Sequence, residues 1–444
     1  MSVNRREFLS ALGAPALLQR ERPNILLLMT DQQAGSAVSA NGNRYLHTPA
    51  MDALVADGVS FTESYSTYPV CSPARSSWWT SRMPHETGVR VNGQPIAAGI
   101  PTMGEIFRQH GYHTVYGGKW HLPKSFSGVT GFDELIGGSS LGAEMDEPLA
   151  TACVQFLRKQ PKQPFLLVAS FMNPHDVCSW IRAHKGTRTY PDLTKFPPAP
   201  ANMAVDPEEP EHMRHHRYGG IDLMSQGVGI AAEWKRDDWR FYLHDYYRMV
   251  EDVDRQVGRV LAALRLAGLQ QNTFVLLTSD HGEGMGAHRW VQKAAFWEET
   301  AKVPMIVAGW GVRRRGVVDQ RTLVSGLDIL PTVCDYAGVP PPEIVRGRSL
   351  RGAVEGARFD RTFVVSEVRY GDAAREGRML RTARYKYVVF NAGRNPEQLF
   401  DLELDPGEVL NLARTPDAAQ VLAQHRQLLA GWIKETQDDF RFPV

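Results

Sequence analysis

Most features that would give this chain a simple physical label are missing from it. Fifty Lys and Arg stand against 49 Asp and Glu in 444 residues, a formal net charge of +1. No basic face for nucleic acid or for an anionic membrane surface is implied, and any preference for an anionic ligand has to come from a local pocket. Only four cysteines occur, Cys71, Cys153, Cys178 and Cys334. Scattered and without metal-ligand spacing, they make no disulfide framework, although a single bridge stays open. No apolar stretch approaches the roughly twenty residues needed to cross a bilayer, and no internal repeat marks a solenoid or a propeller. What is left is a chain able to bury a substantial core and too long for one average domain, which predicts a large domain with a smaller one attached.

What the chain does have is apolar runs alternating with helix signals. Residues 24–30 (NILLLMT), 165–171 (FLLVASF) and 272–279 (NTFVLLTS) are continuous apolar runs, the mark of strands buried on both faces of a parallel sheet. Residues 59–65, 112–116 and 303–308 read as further strands. Among the helices, Thr48-Pro49 opens one that closes at Gly58, and Thr102 with Glu105 forms a capping box for one ending at Gly111. Others are expected near 147–159, over 238–267 and from Asp328 to near Gly338. The 238–267 helix carries Tyr242, Tyr246, Met249, Val253, Val257, Val260 and Leu264 at three- and four-residue steps, a stripe read as core packing. Residues 181–234, rich in proline and glycine, read as a long loop that shapes a pocket. Its His212, His215 and His216 suggest metal by composition only. The alternation from residue 23 to about 357 predicts an α/β fold, a mostly parallel central sheet flanked by helices. Short strands at 362–367, 379–382 and 385–390 and a last helix over 417–436 predict a small C-terminal α+β subdomain over 358–444.

In such sheets ligands sit outside the carboxyl ends of the strands. Four strands deliver polar residues there: Asp31 and Gln32, Lys119 and His121, His175 and Asp176, Asp280 and His281. Four such endings favour one shared site over scattered caps. Asp31, Gln32 and Asp280 could hold a hard divalent cation with His281 as a nitrogen ligand, while Lys119, Lys293, His121 and His175 supply cationic or proton-transferring groups. That chemistry suits a sulfate or phosphate ester. Ser72-Pro73 reads as an N-cap and first helical residue, placing Cys71 in the loop ahead of a helix N-terminus, with Arg75 a turn on as a fork of donors for an oxyanion. On the residues alone Cys71 is either a small buried thiol or a reactive one beside an anion site.

Cys71-x-Pro73-x-Arg75, Gly88, Gly118-Lys119-x-His121, His175, Asp280-His281 and Lys293, followed by Leu399 to Leu402 and Asp405 to Glu408, together resemble the type I sulfatases of the alkaline phosphatase superfamily. The likeness covers nearly everything after residue 22. Gln32 and His281 stand where aspartate and asparagine are commoner in that family, which leaves Ca²⁺, the family's usual ion, and another divalent ion both open. The resemblance implies a sulfuric ester hydrolase acting on a sulfate monoester, most commonly of a carbohydrate. It implies Cys71 oxidised to formylglycine by a formylglycine-generating enzyme, and a divalent metal on Asp31, Gln32, residue 71, Asp280 and His281. The formylglycine hydrate, oriented by Arg75, would attack sulfur. His175 or Lys293 would bind the sulfate and protonate the leaving oxygen, and His121, backed by Lys119, would take the proton that expels sulfate. A phosphonate monoester or phosphodiester hydrolase of the same superfamily is the rival reading, and a non-catalytic binding protein on the same fold the third.

Ahead of the first strand, Asn4-Arg5-Arg6-Glu7-Phe8-Leu9 and the small apolar run 9–18 look like a twin-arginine export signal. Residues 1–22 are thus expected to direct the protein to the periplasm rather than join the fold.

Overall fold

The computed structural model describes residues 22–123, 129–138, 141–184, 192–219, 223–370 and 375–443. The proposed export segment therefore lies almost wholly outside the described residues. Ten strands precede residue 330: β1 (Asn24–Asp31), β2 (Gly58–Phe61), β3 (Ser64–Tyr65), β4 (His113–Gly118), β5 (Asp133–Gly137), β6 (Phe165–Pro174), β7 (Thr273–Ser279), β8 (Met305–Gly309), β9 (Val317–Asp319) and β10 (Val324–Ser325). Eight form one sheet in the order β5-β4-β6-β1-β7-β8-β2-β9. All pairs are parallel except those of β8, which runs antiparallel to both β7 and β2.

The apolar runs explain this layering. All eight residues of β1 are buried, because helices cover both faces of the sheet. Ile25, Leu27 and Met29 join a core with Trp78, Trp79, Ile106, Phe107, Ile329 and Val333 on one side. Leu26 and Leu28 join Leu54, Leu149, Phe156, Val253, Val257 and Val260 on the other. Each such side chain contributes about 1.5–3 kcal/mol by leaving water. Parallel pairing puts the carboxyl ends of β1, β4, β6 and β7 on one edge.

Several boundaries differ from expectation for physical reasons. The 59–65 run splits into β2 and β3, since β2 pairs with β8 while β3 pairs with β10 in a separate two-stranded sheet. The helix expected near 147–159 spans Gly142–Arg158. The Asp176 carboxylate caps it from beyond β6, accepting from Gly142 N at 2.8 Å and Ala143 N at 2.9 Å. Asp146 on that helix returns the favour, accepting from Met172 N and Asn173 N at 2.7 and 3.0 Å. Asp176 therefore locks a helix to a strand end and does not face the shared site. The 181–234 stretch is not one loop: it holds the end of a helix over Val177–Ala183 and helices over Glu211–Gly219 and Leu223–Ala232. Its histidines are not a metal cluster. His216 is buried 5.5 Å from the Trp290 ring and 4.8 Å from Tyr370, and His212 lies 3.1 Å from Asn391 Oδ1. All four cysteines are free thiols. No described helix is long and apolar enough to cross a membrane.

Beyond residue 360, β11 (Phe363–Arg369), β12 (Glu376–Thr382), β13 (Tyr385–Phe390) and β14 (Glu397–Asp401) form an antiparallel sheet backed by a helix over Ala419–Thr436. This subdomain docks through an apolar cluster, in which Val368, Met379 and Phe390 join Trp290 and Phe296, and through buried charge. Lys386 Nζ reaches Phe296 O at 2.7 Å, Glu298 at 2.9 Å and Glu408 at 2.5 Å.

Candidate active site

The central piece is the helix Cys71–Thr80, every residue of which is buried. It begins one residue earlier than the Ser72-Pro73 signal suggests. Val70 is extended (φ −151°, ψ 143°) and its carbonyl accepts from Ala74 N at 3.1 Å, so Cys71 is the first helical residue rather than a loop residue. Pro73 is tolerated because first-turn N–H groups have no partner inside the helix. Ser72 is not the cap. Its N–H donates to Asn92 Oδ1 at 2.9 Å and its hydroxyl donates to the His121 carbonyl, pinning the loop after β4 to the helix start. Trp79 stacks on Trp120 at 5.6 Å and meets Tyr116 and Phe132 edge-on, which fixes the helix against that same loop.

The strand ends converge on the Cys71 thiol. Its Sγ lies 3.1 Å from Lys293 Nζ, 3.2 Å from His281 Nε2, and 3.7 Å from both Lys119 Nζ and Asp31 Oδ1. Burial and Asp31 would raise the thiol, yet Lys119, Lys293 and His281 outweigh them and hold it well below its ordinary value. The reverse holds for Lys293: burial would lower it, but Cys71, Cys178 and Asp31 raise it, so it stays an ammonium. His175 Nε2 is 3.9 Å from Asp31 Oδ1, with its side chain 26% exposed, and it marks the open side of the cluster. Burial first, then Lys119 and Lys293, hold it well below the usual histidine range, so it rests as a neutral imidazole.

Asp31, Cys71, Asp280 and His281 offer ligand atoms all within 4.8 Å of one another, and the donor set fits a hard divalent cation. His281 Nδ1 donates to the Gly282 carbonyl at 2.8 Å, so Nε2, 3.2 Å from Cys71 Sγ, is the ring nitrogen that faces inward and would bind a metal once deprotonated. Asp31 Oδ1 has no partner closer than 3.7 Å among the contacts above, while its Oδ2 takes Lys119 at 2.7 Å and Arg75 at 2.9 Å. Burial and then Asp31 push the Asp280 carboxylate up to about 6. Asp31 is held well below its ordinary value instead: burial would raise it, but Lys119, His175, Arg75 and Lys293 outweigh burial.

Three expected roles are corrected. Arg75 does not offer a fork to an oxyanion: Nε donates to Asp280 at 2.9 Å, Nη2 to Asp31 at 2.9 Å, and Nη1 to Lys119 O at 2.6 Å and Ser170 Oγ at 2.9 Å. It clamps the two aspartates instead. Gln32, expected as a metal ligand, is engaged with protein partners in this structure. Its φ of 70° turns the chain, so its Nε2 donates to Glu283 at 2.5 Å and its Oε1 accepts from Lys293 at 3.3 Å. Lys119 does not back His121. Its ammonium sits on Asp31, while His121, at φ 58°, breaks the extended geometry that would have aligned the two side chains. The His121 Nδ1 has no protein partner among the described residues.

Sequence reasoning missed Glu283, Cys178, Tyr242 and Tyr246 as parts of the site. Cys178 Sγ lies 3.3 Å from Gln32 Nε2. Tyr246 OH donates to Gln32 O at 2.9 Å and accepts from Ala34 N, and Tyr242 OH donates to Glu283. The signal for the tyrosines was present: two of the stripe's members carry hydroxyls that a buried position must satisfy.

Comparison with known proteins gives the chain's family. The family profile described as Sulfatase matches residues 23–339. A second, described as N-sulphoglucosamine sulphohydrolase, C-terminal, matches residues 286–435. The chain is 34% identical to the Delta 4,5-hexuronate-2-O-sulfatase of Bacteroides thetaiotaomicron, covering 98% of this chain and 93% of that protein. It is 28% identical to the choline-sulfatase of Rhizobium meliloti, covering 94% and 88%. Among solved structures, a 2-O GAG sulfatase superposes with a TM-score of 0.87 at 31% identity, covering 95% of this chain and 94% of that one. The phosphonate monoester hydrolase of Agrobacterium radiobacter does so at 0.78 and 25%, covering 94% and 96%.

Proposed function

The chain belongs to the sulfatase family of the alkaline phosphatase superfamily and is a sulfuric ester hydrolase, and from that premise we propose that it removes sulfate from a sulfated saccharide through a formylglycine made from Cys71. The observation that carries this reading is the placement of residue 71. It sits at a helix N-terminus, at the carboxyl edge of the sheet, between Lys119 and Lys293 and beside Asp31, Asp280 and His281. The saccharide is proposed from the hexuronate-2-O-sulfatase and the 2-O GAG sulfatase to which the chain is similar.

Asp31, Asp280, His281 and residue 71 would hold a divalent metal, for which we propose Ca²⁺ given the oxygen-rich set. That metal would supply Lewis acidity at the reacting oxygen. The aldehyde hydrate at position 71 would supply a nucleophilic hydroxyl, and a second one through which the sulfate is released. The chain's own residues do the rest. Arg75 fixes both aspartates. Lys119 and Lys293 present positive charge where an ester's sulfate must lie. His175 is held neutral by burial and by the charge of those lysines; an incoming sulfate would oppose them and raise it, which suits it to give a proton to the leaving oxygen. His121, anchored by Ser72 through its carbonyl and with Nδ1 unpartnered, is the base for the second hydroxyl.

The likeness to the phosphonate monoester hydrolase favours one alternative, hydrolysis of phosphonate monoesters. The division at 357/358 and export by the Arg5-Arg6 segment are proposed from the sequence. Arg5→Lys with Arg6→Lys should leave the protein in the cytoplasm.

The test of function is made on protein coexpressed with a formylglycine-generating enzyme. The Cys71 peptide should carry an aldehyde mass and react with hydrazides. Turnover should track the aldehyde fraction, and 2-O-sulfated uronosides should be cleaved faster than choline sulfate, 4-nitrophenyl sulfate or a phosphonate monoester. Full activity from an all-thiol preparation would remove the formylglycine mechanism, and preference for the phosphonate would favour the alternative.

A further inference from the structure

Glu283 is wholly buried beside the site, yet no step above uses it. Its carboxylate accepts from Gln32 Nε2 at 2.5 Å, from Gly284 N at 3.0 Å, and from Tyr242 OH and Gln292 N. Ionised, with four donors around it, this carboxylate acts only as an acceptor. The Gln32 amide must therefore turn its NH₂ toward Glu283, and its carbonyl end is left for Lys293, whose Nζ lies 3.3 Å from Oε1 and 3.1 Å from Cys71 Sγ. The other neighbour of this amide cannot make the choice. Cys178 Sγ stands 3.3 Å from Nε2 and 3.4 Å from Oε1, and a thiol can give or accept. The reversed amide would aim two N–H groups at an ammonium.

We propose that Glu283 is a positioning residue: by fixing the orientation of the Gln32 amide it holds the Lys293 ammonium against the group at position 71. Tyr242 secures the carboxylate in turn, which ties the long helix Arg236–Leu266 to the reacting geometry. The kinetic part of this proposal rests on the sulfatase reading above; the geometric part does not.

The experiment uses Glu283→Gln, which keeps size and packing but can donate as well as accept. The kcat/KM on a sulfate ester should fall about 10- to 100-fold, the usual range for residues behind the primary ligands, with the loss mainly in kcat. In a Gln32→Leu background the same change should cost less than about 2-fold, because the route through the amide is already gone. Additive losses would overturn the proposal. Crystals of Glu283→Gln decide independently of any turnover: Lys293 Nζ should shift by about 1 Å or more from residue 71, within the tolerance that separates a held site from a loose one. An unmoved Lys293 would also overturn it. Should Glu283→Gln not fold, Gln32→Leu gives the same reading, since the lysine should shift when the amide is removed. A wild-type enzyme inert on every ester would sink the sulfatase reading, while the crystal comparison would still decide the role of Glu283.

Discussion

Among the described residues two buried clusters pair histidine with carboxylates, and they differ in how far protein partners already occupy them. At the sheet edge, Asp31 Oδ1 and His281 Nε2 face a shared space with Cys71 and Asp280. Where the C-terminal sheet meets the helix Pro84–Thr87, His85, Glu367 and Asp438 also bring ligand atoms within 4.8 Å. There both His85 nitrogens and both Asp438 oxygens have protein partners. His85 Nδ1 is 2.5 Å from Glu367 Oε1 and Nε2 is 3.2 Å from Thr436 O, while Arg378 grips both Asp438 oxygens at 2.7 and 2.8 Å. A cation entering the second cluster would displace a proton and face a guanidinium. Proximity of ligand-type residues is thus a poor guide to a metal, and uncommitted lone pairs are a better one.

The sharpest way to break this contrast is to titrate metal. We expect one equivalent of divalent cation per chain, lost in Asp31→Asn together with at least about 10³-fold of kcat/KM, because an electrostatic centre of the reaction goes with it. Calorimetric titration and steady-state kinetics of enzyme coexpressed with a formylglycine-generating enzyme check both. Two equivalents, or an Asp31→Asn enzyme of near-normal activity, would erase the distinction.

The second effect is smaller and concerns stability. Burial alone would lower His85, but Glu367, Asp438 and the Thr436 carbonyl raise it above 6.5. With both side chains only 2–3% exposed, the pair is screened little. A raised folded pKa means that the stabilisation is complete below about 6.5 and is lost as pH climbs through the folded value. His85→Gln should therefore cost about 2–3 kcal/mol at pH 6 and less at pH 9, with kcat/KM per folded molecule unchanged. Urea unfolding at the two pH values reads this; a difference that grows with pH would mean that His85 is neutral in the fold.

Much of the first cluster was legible beforehand because backbone periodicity carries that information. Continuous apolar runs place β1, β6 and β7 side by side, and parallel pairing then sends Asp31, His175 and Asp280 to one edge whatever their side chains do. What failed was direction at residues where the chain leaves regular geometry. Gln32 at φ 70° and His121 at φ 58° turn away from the alternation that a strand rule assumes, so the Gln32 amide bridges Glu283 and Lys293 and the expected Lys119–His121 pair comes apart. Asp176 was misplaced because capping by a distant carboxylate has no local signature. The second cluster was invisible, since it joins residues about 280 to 350 positions apart whose types, taken singly, are ordinary surface chemistry.

The smallest expected effect is also the most discriminating. If the second cluster serves only to balance charge, then removing that charge in matched pairs should be nearly free, whereas removing one member should not. Asp438→Asn leaves the Arg378 guanidinium, 2% exposed, without its bidentate partner, a change expected to cost about 3 kcal/mol. Arg378→Met in the same chain takes away the stranded charge, keeps an unbranched apolar stem against Phe440, over whose ring the guanidinium lies at 4.7 Å, and leaves His85 with Glu367. The double variant should return to within about 1 kcal/mol of wild type, with activity intact. The corresponding neutralisation at the sheet edge, Asp280→Asn with Arg75→Met, should recover nothing in turnover if, as proposed, the Asp280 carboxylate holds a cation besides pairing with Arg75. A double variant at the second cluster that stays as unstable as Asp438→Asn would show that Arg378 has a role beyond neutralising Asp438.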